Sequence, residues 1–226
     1  MKKKELTKKQ IKWLDSCIGW APSSGMEGGQ LRISDRYRWQ FNQDTGKVTI
    51  WGSFNCSGQR LTDFKGIEFE YVSGSFNCSK NSLTSLDGAP RIVDGDFDCS
   101  HNQISRIEGN YKIGGTRHGF GWFICKHNKL ESLSGASFYA RNLVFSHNLL
   151  SNLKGVDITL HVNYNDKEGY HCDSGIWLDY NKFENLKRLP KGIKYSNNIA
   201  YVKRRRRPEV VIGYRVEGTF AIPIYL

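Results

Sequence analysis

The stretch GSFNCSGQRLTDFKG (52–66) is followed almost at once by GSFNCSKNSLTSLDG (74–88), and this repetition decides the fold. Three further copies stay in phase: GDFDCSHNQISRIEG (95–109), GWFICKHNKLESLSG (121–135) and RNLVFSHNLLSNLKG (141–155). GIWLDYNKFENL (175–186) and GIKYSNNIA (192–200) read as drifted copies. The shared template is G-x-Φ-x-Φ-x-x-N-x-Φ-x-x-Φ-x-G, with Φ apolar.

The Φ-x-Φ pair has period 2, so a short strand points both apolar side chains the same way. Two inward residues make no core alone, but stacked turns align Phe54, Phe76, Phe97 and Phe123 into one buried column. Leu143, Ile176 and Ile193 are expected to continue it. An asparagine (Asn81, Asn102, Asn128, Asn148, Asn181, Asn198; Gln59 in the first copy) then bends the chain and offers its amide to backbone of the next turn. The closing glycines Gly66, Gly88, Gly109, Gly135 and Gly155 suit a turn that needs positive φ. Two long gaps between copies imply insertions near 111–120 and 159–174.

The pattern from strand to second leucine resembles the leucine-rich repeat family, in the F-x-C-S-x-N-x-L-x-S-L-x-G form found in bacterial and tailed-phage proteins. Strong matches cover about 52–155 and weaker ones reach about 200. The family's first leucine is mostly missing here, so the convex side is expected to be thin turns in place of helices. The expected fold is mainly β, a leucine-rich-repeat-like solenoid. Residues 1–51 would form a basic helix and β-hairpin cap, and 52–200 about seven turns. Residues 201–226 would hold a basic run and a strand cap.

The caps have their own signals. Leu6 to about Ile18 reads as a helix with Thr7 and Gln10 at capping-box spacing and Ile11, Leu14 and Ile18 on one face. RYRWQFNQDTGKVTIWGSF (36–54) alternates like a hairpin turning at Asp44-Thr45-Gly46, and VVIGYRVEGTFAIPIYL (210–226) reads as one or two strands.

Hydrophobic residues at 38% with 13% aromatics suffice for a core and argue against disorder throughout. No apolar run reaches the roughly 18–20 residues that span a bilayer, and the basic start lacks the apolar stretch of a secretory signal. No membrane partner and a cytoplasmic location (the host cytoplasm, if phage-encoded) are therefore expected. The net charge of +11 sits mostly at the ends: +5 over residues 1–13 and +4 over 201–217.

Four of the six cysteines (Cys56, Cys78, Cys99, Cys125) occupy the second inward position, where Phe145 stands in the fifth copy. They read as small buried hydrophobes in a reducing compartment, not as disulfides or metal ligands. His161, His171, Cys172 and Asp173 form the one group with zinc-ligand chemistry, at a spacing that favours an ordinary polar loop. His101, His127 and His147 precede successive turn asparagines and should form a row along one edge. No phosphate loop, nucleophile elbow or acid pair appears. The expectation is no enzyme, no catalytic residue, no metal and no cofactor.

Function then rests on surfaces. Outward strand positions are polar in the first three copies (Ser53, Asn55, Ser57; Ser75, Asn77, Ser79; Asp96, Asp98, Ser100). They become Trp122, Ile124 and Lys126, then Asn142, Val144 and Ser146, then Trp177 and Asp179. A protein partner docking on Trp122, Ile124, Lys126, Val144, Trp177 and Asp179 is one expectation; the other is that the insertions fold back over the tryptophans. The run Lys203, Arg204, Arg205, Arg206 and Arg207 is a second surface, for an acidic protein surface or for nucleic-acid phosphates, or a solvated face. The leading expectation is a non-enzymatic interaction module (inhibitor, adaptor or assembly factor) gripping a protein or larger complex. The alternatives are a nucleic-acid- or ribonucleoprotein-associated protein and a structural subunit of a particle.

Overall fold

The computed structural model describes residues 4–18, 38–115, 121–160, 175–178, 180–182, 193–195, 199–203, 211–217 and 220–224. The fold is mainly β: a solenoid with one short helix at its N-terminal end. Each turn contributes one strand to each of two sheets. The first sheet holds Phe54–Asn55 (β3), Phe76–Asn77 (β5), Phe97–Asp98 (β7), Trp122–Ile124 (β9), Asn142–Val144 (β11), Gly175–Trp177 (β13) and Ile199–Lys203 (β15), all parallel. Val211–Glu217 (β16) and Phe220–Ile224 (β17) close it with two antiparallel pairings. The second sheet runs Trp39–Asn42 (β1), Lys47–Ile50 (β2), Glu68–Val72 (β4), Ile92–Val93 (β6), Gly109–Ile113 (β8), Ala136–Ala140 (β10), Asp157–Leu160 (β12) and Ile193–Tyr195 (β14).

The Phe column forms as the template requires. Phe54 pairs in register with Phe76, Phe76 with Phe97, Phe97 with Phe123, and the series continues through Leu143 to Ile176. The rings follow one another at centroid distances of 5.5, 5.2 and 5.1 Å and are fully buried. Each such phenylalanine withdraws enough apolar surface to contribute about 1.5–3 kcal/mol. Cys56, Cys78, Cys99 and Cys125 form the adjoining column, buried and free, as is Cys17 of the cap helix. Burial pushes the Cys56, Cys78 and Cys99 thiols well above their ordinary range, so they pack as hydrophobes and stay protonated.

The asparagines form a second column, and they bond to the preceding turn. Asn102 Oδ1 accepts the Leu83 amide (3.0 Å), while its Nδ2 donates to the carbonyls of Cys78 (3.0 Å) and of Cys99 in its own turn (3.1 Å). Asn81, Asn128, Asn148 and Asn181 repeat the scheme. Backbone that bends away from the sheet would otherwise be buried unpaired, at about 1–3 kcal/mol per group. Gln59 differs because its neighbour is the cap: it accepts from Trp13 Nε1 (2.8 Å) and donates to Cys17 Sγ (3.3 Å).

Glycine serves two purposes. Closing glycines such as Gly88 (φ +83°) sit in the left-handed region. The opening glycine is demanded by contact between turns, since a Cβ on Gly74 would lie 2.6 Å from the Gly52 carbonyl carbon.

Several expectations change. The return limb is a second parallel sheet and not thin turns, so the stretch that looked like an insertion from 111 begins inside β8. Segments such as EFEYV pair laterally once stacked, although their sequences do not repeat from turn to turn as the first-sheet strands do. Ile193 does not extend the Phe column: β14 pairs with β12 in the second sheet, and Val202 lies opposite Ile176 instead. The triplet I-K-Y fits either sheet by alternation, so alternation alone does not fix which limb of the turn it forms. Helix α1 (Lys8–Cys17) has its capping box, but it buries Trp13, Leu14, Cys17 and the adjoining Ile18 while Ile11 is exposed. The hairpin β1–β2 forms and starts the second sheet; Ile18 bridges to Phe54 at the head of the first. Among the described residues no helix is long and apolar enough to cross a membrane.

Candidate functional site

The outward side chains of the first sheet form a grid set by strand register. One column runs Ser53, Ser75, Asp96, Trp122, Asn142; the next runs Asn55, Asn77, Asp98, Ile124, Val144, Trp177. The first three copies bind their own backbone. Asn55, Asn77 and Asp98 accept the amides of Ser57, Ser79 and Ser100 at 2.9–3.0 Å. Ser53 and Ser75 accept from Ser75 and Asp96 in the next turn, both at 3.1 Å, and Asp96 Oδ1 accepts the Trp122 amide at 2.9 Å.

From the fourth copy on, this column arrangement ends in rings. Trp122 and Trp177 stack at 5.3 Å with 22° between planes, although they lie in different columns and two strands apart. Gly175 stands opposite the buried Asn142, and Trp177 lies opposite Val144, two residues further along the same strand. Trp122 is 37% exposed, and Trp177, Ile124, Val144 and Lys126 are half-buried. The structure thus brings together five of the six residues expected to bind a partner; Asp179 lies outside the described residues. The third outward column is less available than its sequence suggests, since Ser79, Ser100 and Ser146 are buried.

Of the basic run, Lys203 ends β15 opposite Trp177, and Arg204–Arg207 lie outside the described residues. So does the group His161, His171, Cys172 and Asp173. Among the described residues no three metal-ligating side chains are grouped to hold an ion.

The histidine row is real and continuous. His101, His127, His147 and Tyr180 stack face to face at 4.4, 4.1 and 4.1 Å, each from a residue with φ of 54–57°. Partial burial, then the neighbouring His147, His101 and Lys126, hold the His127 imidazole below its ordinary pKa.

A second apolar group was not foreseen. Trp51 (42% exposed) meets Tyr71 edge-on at 5.9 Å on the outer face of the second sheet, where Ile92 (41% exposed) lies opposite Tyr71. Tyr71 donates its hydroxyl to Asp94. The signal was the alternation of EFEYV, legible only once that limb is known to be a strand.

No family model, no curated protein and no solved structure matches the chain. The resemblance to leucine-rich repeats therefore stands on the quoted motifs alone.

Proposed function

We propose that this protein is a non-enzymatic interaction module that grips a protein partner through the outer face of its first sheet, around Trp122 and Trp177. The observation that carries this reading is the stacked, partly exposed tryptophan pair beside Ile124 and Val144. Rigid aromatic anchors on a regular sheet suit recognition, because they present a large area at little cost in side-chain entropy. The solenoid supports such a role by holding the face flat and fixed from turn to turn. The leucine-rich repeat resemblance points the same way, to an inhibitor, adaptor or assembly factor of bacterial or phage type working in the cytoplasm.

Affinity capture from the native host, with the whole chain as bait, tests the reading. The partner captured by the wild type is expected to be lost from W122A/W177A, whose fold is checked by circular dichroism. Equal capture by both proteins would overturn it.

A further inference from the structure

Neutral side chains do the backbone work in the first two copies, and carboxylates appear only where the tryptophans begin. At the first outward position Ser53 and Ser75 accept a backbone amide; in the third copy Asp96 does so. At the second position Asn55 and Asn77 accept the amide two residues on; in the third copy Asp98 does so. Serine and asparagine satisfy the fold at these places, so the fold does not call for the two charges. Each carboxylate spends one oxygen on the backbone bond that the repeat makes at its position. Asp96 is exposed and Asp98 half-buried, and their register neighbours are Trp122 and Ile124.

We propose that this corner takes an arginine-bearing, extended basic segment of the protein partner, a deepening that rests on the function proposed above. The bond from the Trp122 amide to Asp96 Oδ1 ties the carboxylate to the backbone that carries the indole. A guanidinium laid over the exposed ring would gain cation–π attraction and meet the Asp96 carboxylate in the same plane. Asp98, one place along the strand, adds negative potential on the side away from Trp177. In these outward columns of the first five copies, the charged residues are Asp96, Asp98 and Lys126. Asp96 and Asp98 are the register neighbours of Trp122 and Ile124, whereas Lys126 lies one row beyond Ile124 and Lys203 stands in register beyond Trp177, on the other side of the ring pair. Carboxylates placed here on a chain of net charge +11 run against its general charge, and complement a cation locally within a Debye length of about 8 Å.

The test titrates the whole chain with acetyl-Gly-Arg-Gly-Arg-Gly-amide and follows the indole N–H resonances by NMR. Peptides with glutamine or glutamate in place of arginine serve as comparisons. The arginine peptide is expected to shift the Trp122 and Trp177 signals. D96N/D98N should weaken it at least about tenfold, the effect of losing charge-assisted bonds. Asn55 and Asn77 show that asparagine keeps the backbone bond at position 98. At position 96 an amide oxygen of the same reach can accept the Trp122 amide as the carboxylate does, so the variant is designed to remove charge alone. Equal shifts with the glutamine peptide overturn the proposal, as do equal affinity in D96N/D98N, shifts confined to Trp13 or Trp51, or no shift at the highest soluble concentration. If any of these occurs while W122A/W177A still loses the captured partner, the binding face stands and only its basic ligand falls. If capture is also unaffected, both fall.

Discussion

The two halves of one sheet face follow different rules. Over the first two copies the outward residues Ser53, Asn55, Ser75 and Asn77 are small, polar and tied to neighbouring amides. From Trp122 onward the same grid holds Trp122, Ile124, Val144 and Trp177, with the buried Asn142 among them, on strands of the same register. The backbone is common to both halves, so it cannot be the reason for the change. Where a repeat keeps a residue in every copy, the stack demands it; where it departs over several copies together, something outside the stack is the better explanation.

The sharpest way to break this distinction is to remove a residue that the stack does demand. Asn128→Ala strips the buried Ile104 amide of its acceptor and the Cys99 carbonyl of one of its two amide donors, Asn102 being the other. It should cost about 3 kcal/mol in urea denaturation, against less than about 1 kcal/mol for Asn77→Ala on the outward face. Similar losses at both sites would erase the contrast.

The stacked edge gives a smaller, pH-dependent effect. His127 has its folded pKa lowered, so the unfolded chain takes up a proton first as pH falls through the ordinary histidine range. Stability contributed by the neutral stack is fully present above that range and declines below it, with His101, His147 and Lys126 facing the ring. Between about pH 7.5 and 5.5 the melting temperature should fall, and His127→Asn should flatten the slope. A rise over the same interval would contradict the arrangement.

The smallest expected effect sharpens the comparison most. Asp96→Ser with Asp98→Asn copies the second repeat onto the third. Its unfolding free energy should stay within about 0.5 kcal/mol of the wild type, because each backbone bond keeps an acceptor. A loss above about 2 kcal/mol would make those carboxylates structural.

Much of this was legible because one template recurs in phase. The Phe and Cys columns, the asparagine turns, the closing glycines, the capping box and the hairpin each follow from a local pattern repeated or capped. The second sheet was not, since its limbs EFEYV, IV, GNYKI, ASFYA and DITL share no common template from turn to turn, whereas the equally short first-sheet strands do. Loss of that limb also hid Trp51, Tyr71 and Ile92, and let Ile193 be assigned to the wrong sheet. At the candidate site, the sequence placed Trp122, Ile124, Val144 and Trp177 on one face. The contact between the two rings could not be read from it, because the two residues lie in different columns and two strands apart.

Trp51 offers an internal control, being as exposed as Trp122 but on the opposite sheet. Hydroxyl-radical footprinting of the captured complex against the free protein reads both faces at once. Protection of Trp122 and Trp177 with Trp51 and Ile92 unchanged is the result expected here; protection of Trp51 and Ile92 with the first pair still reactive would contradict it.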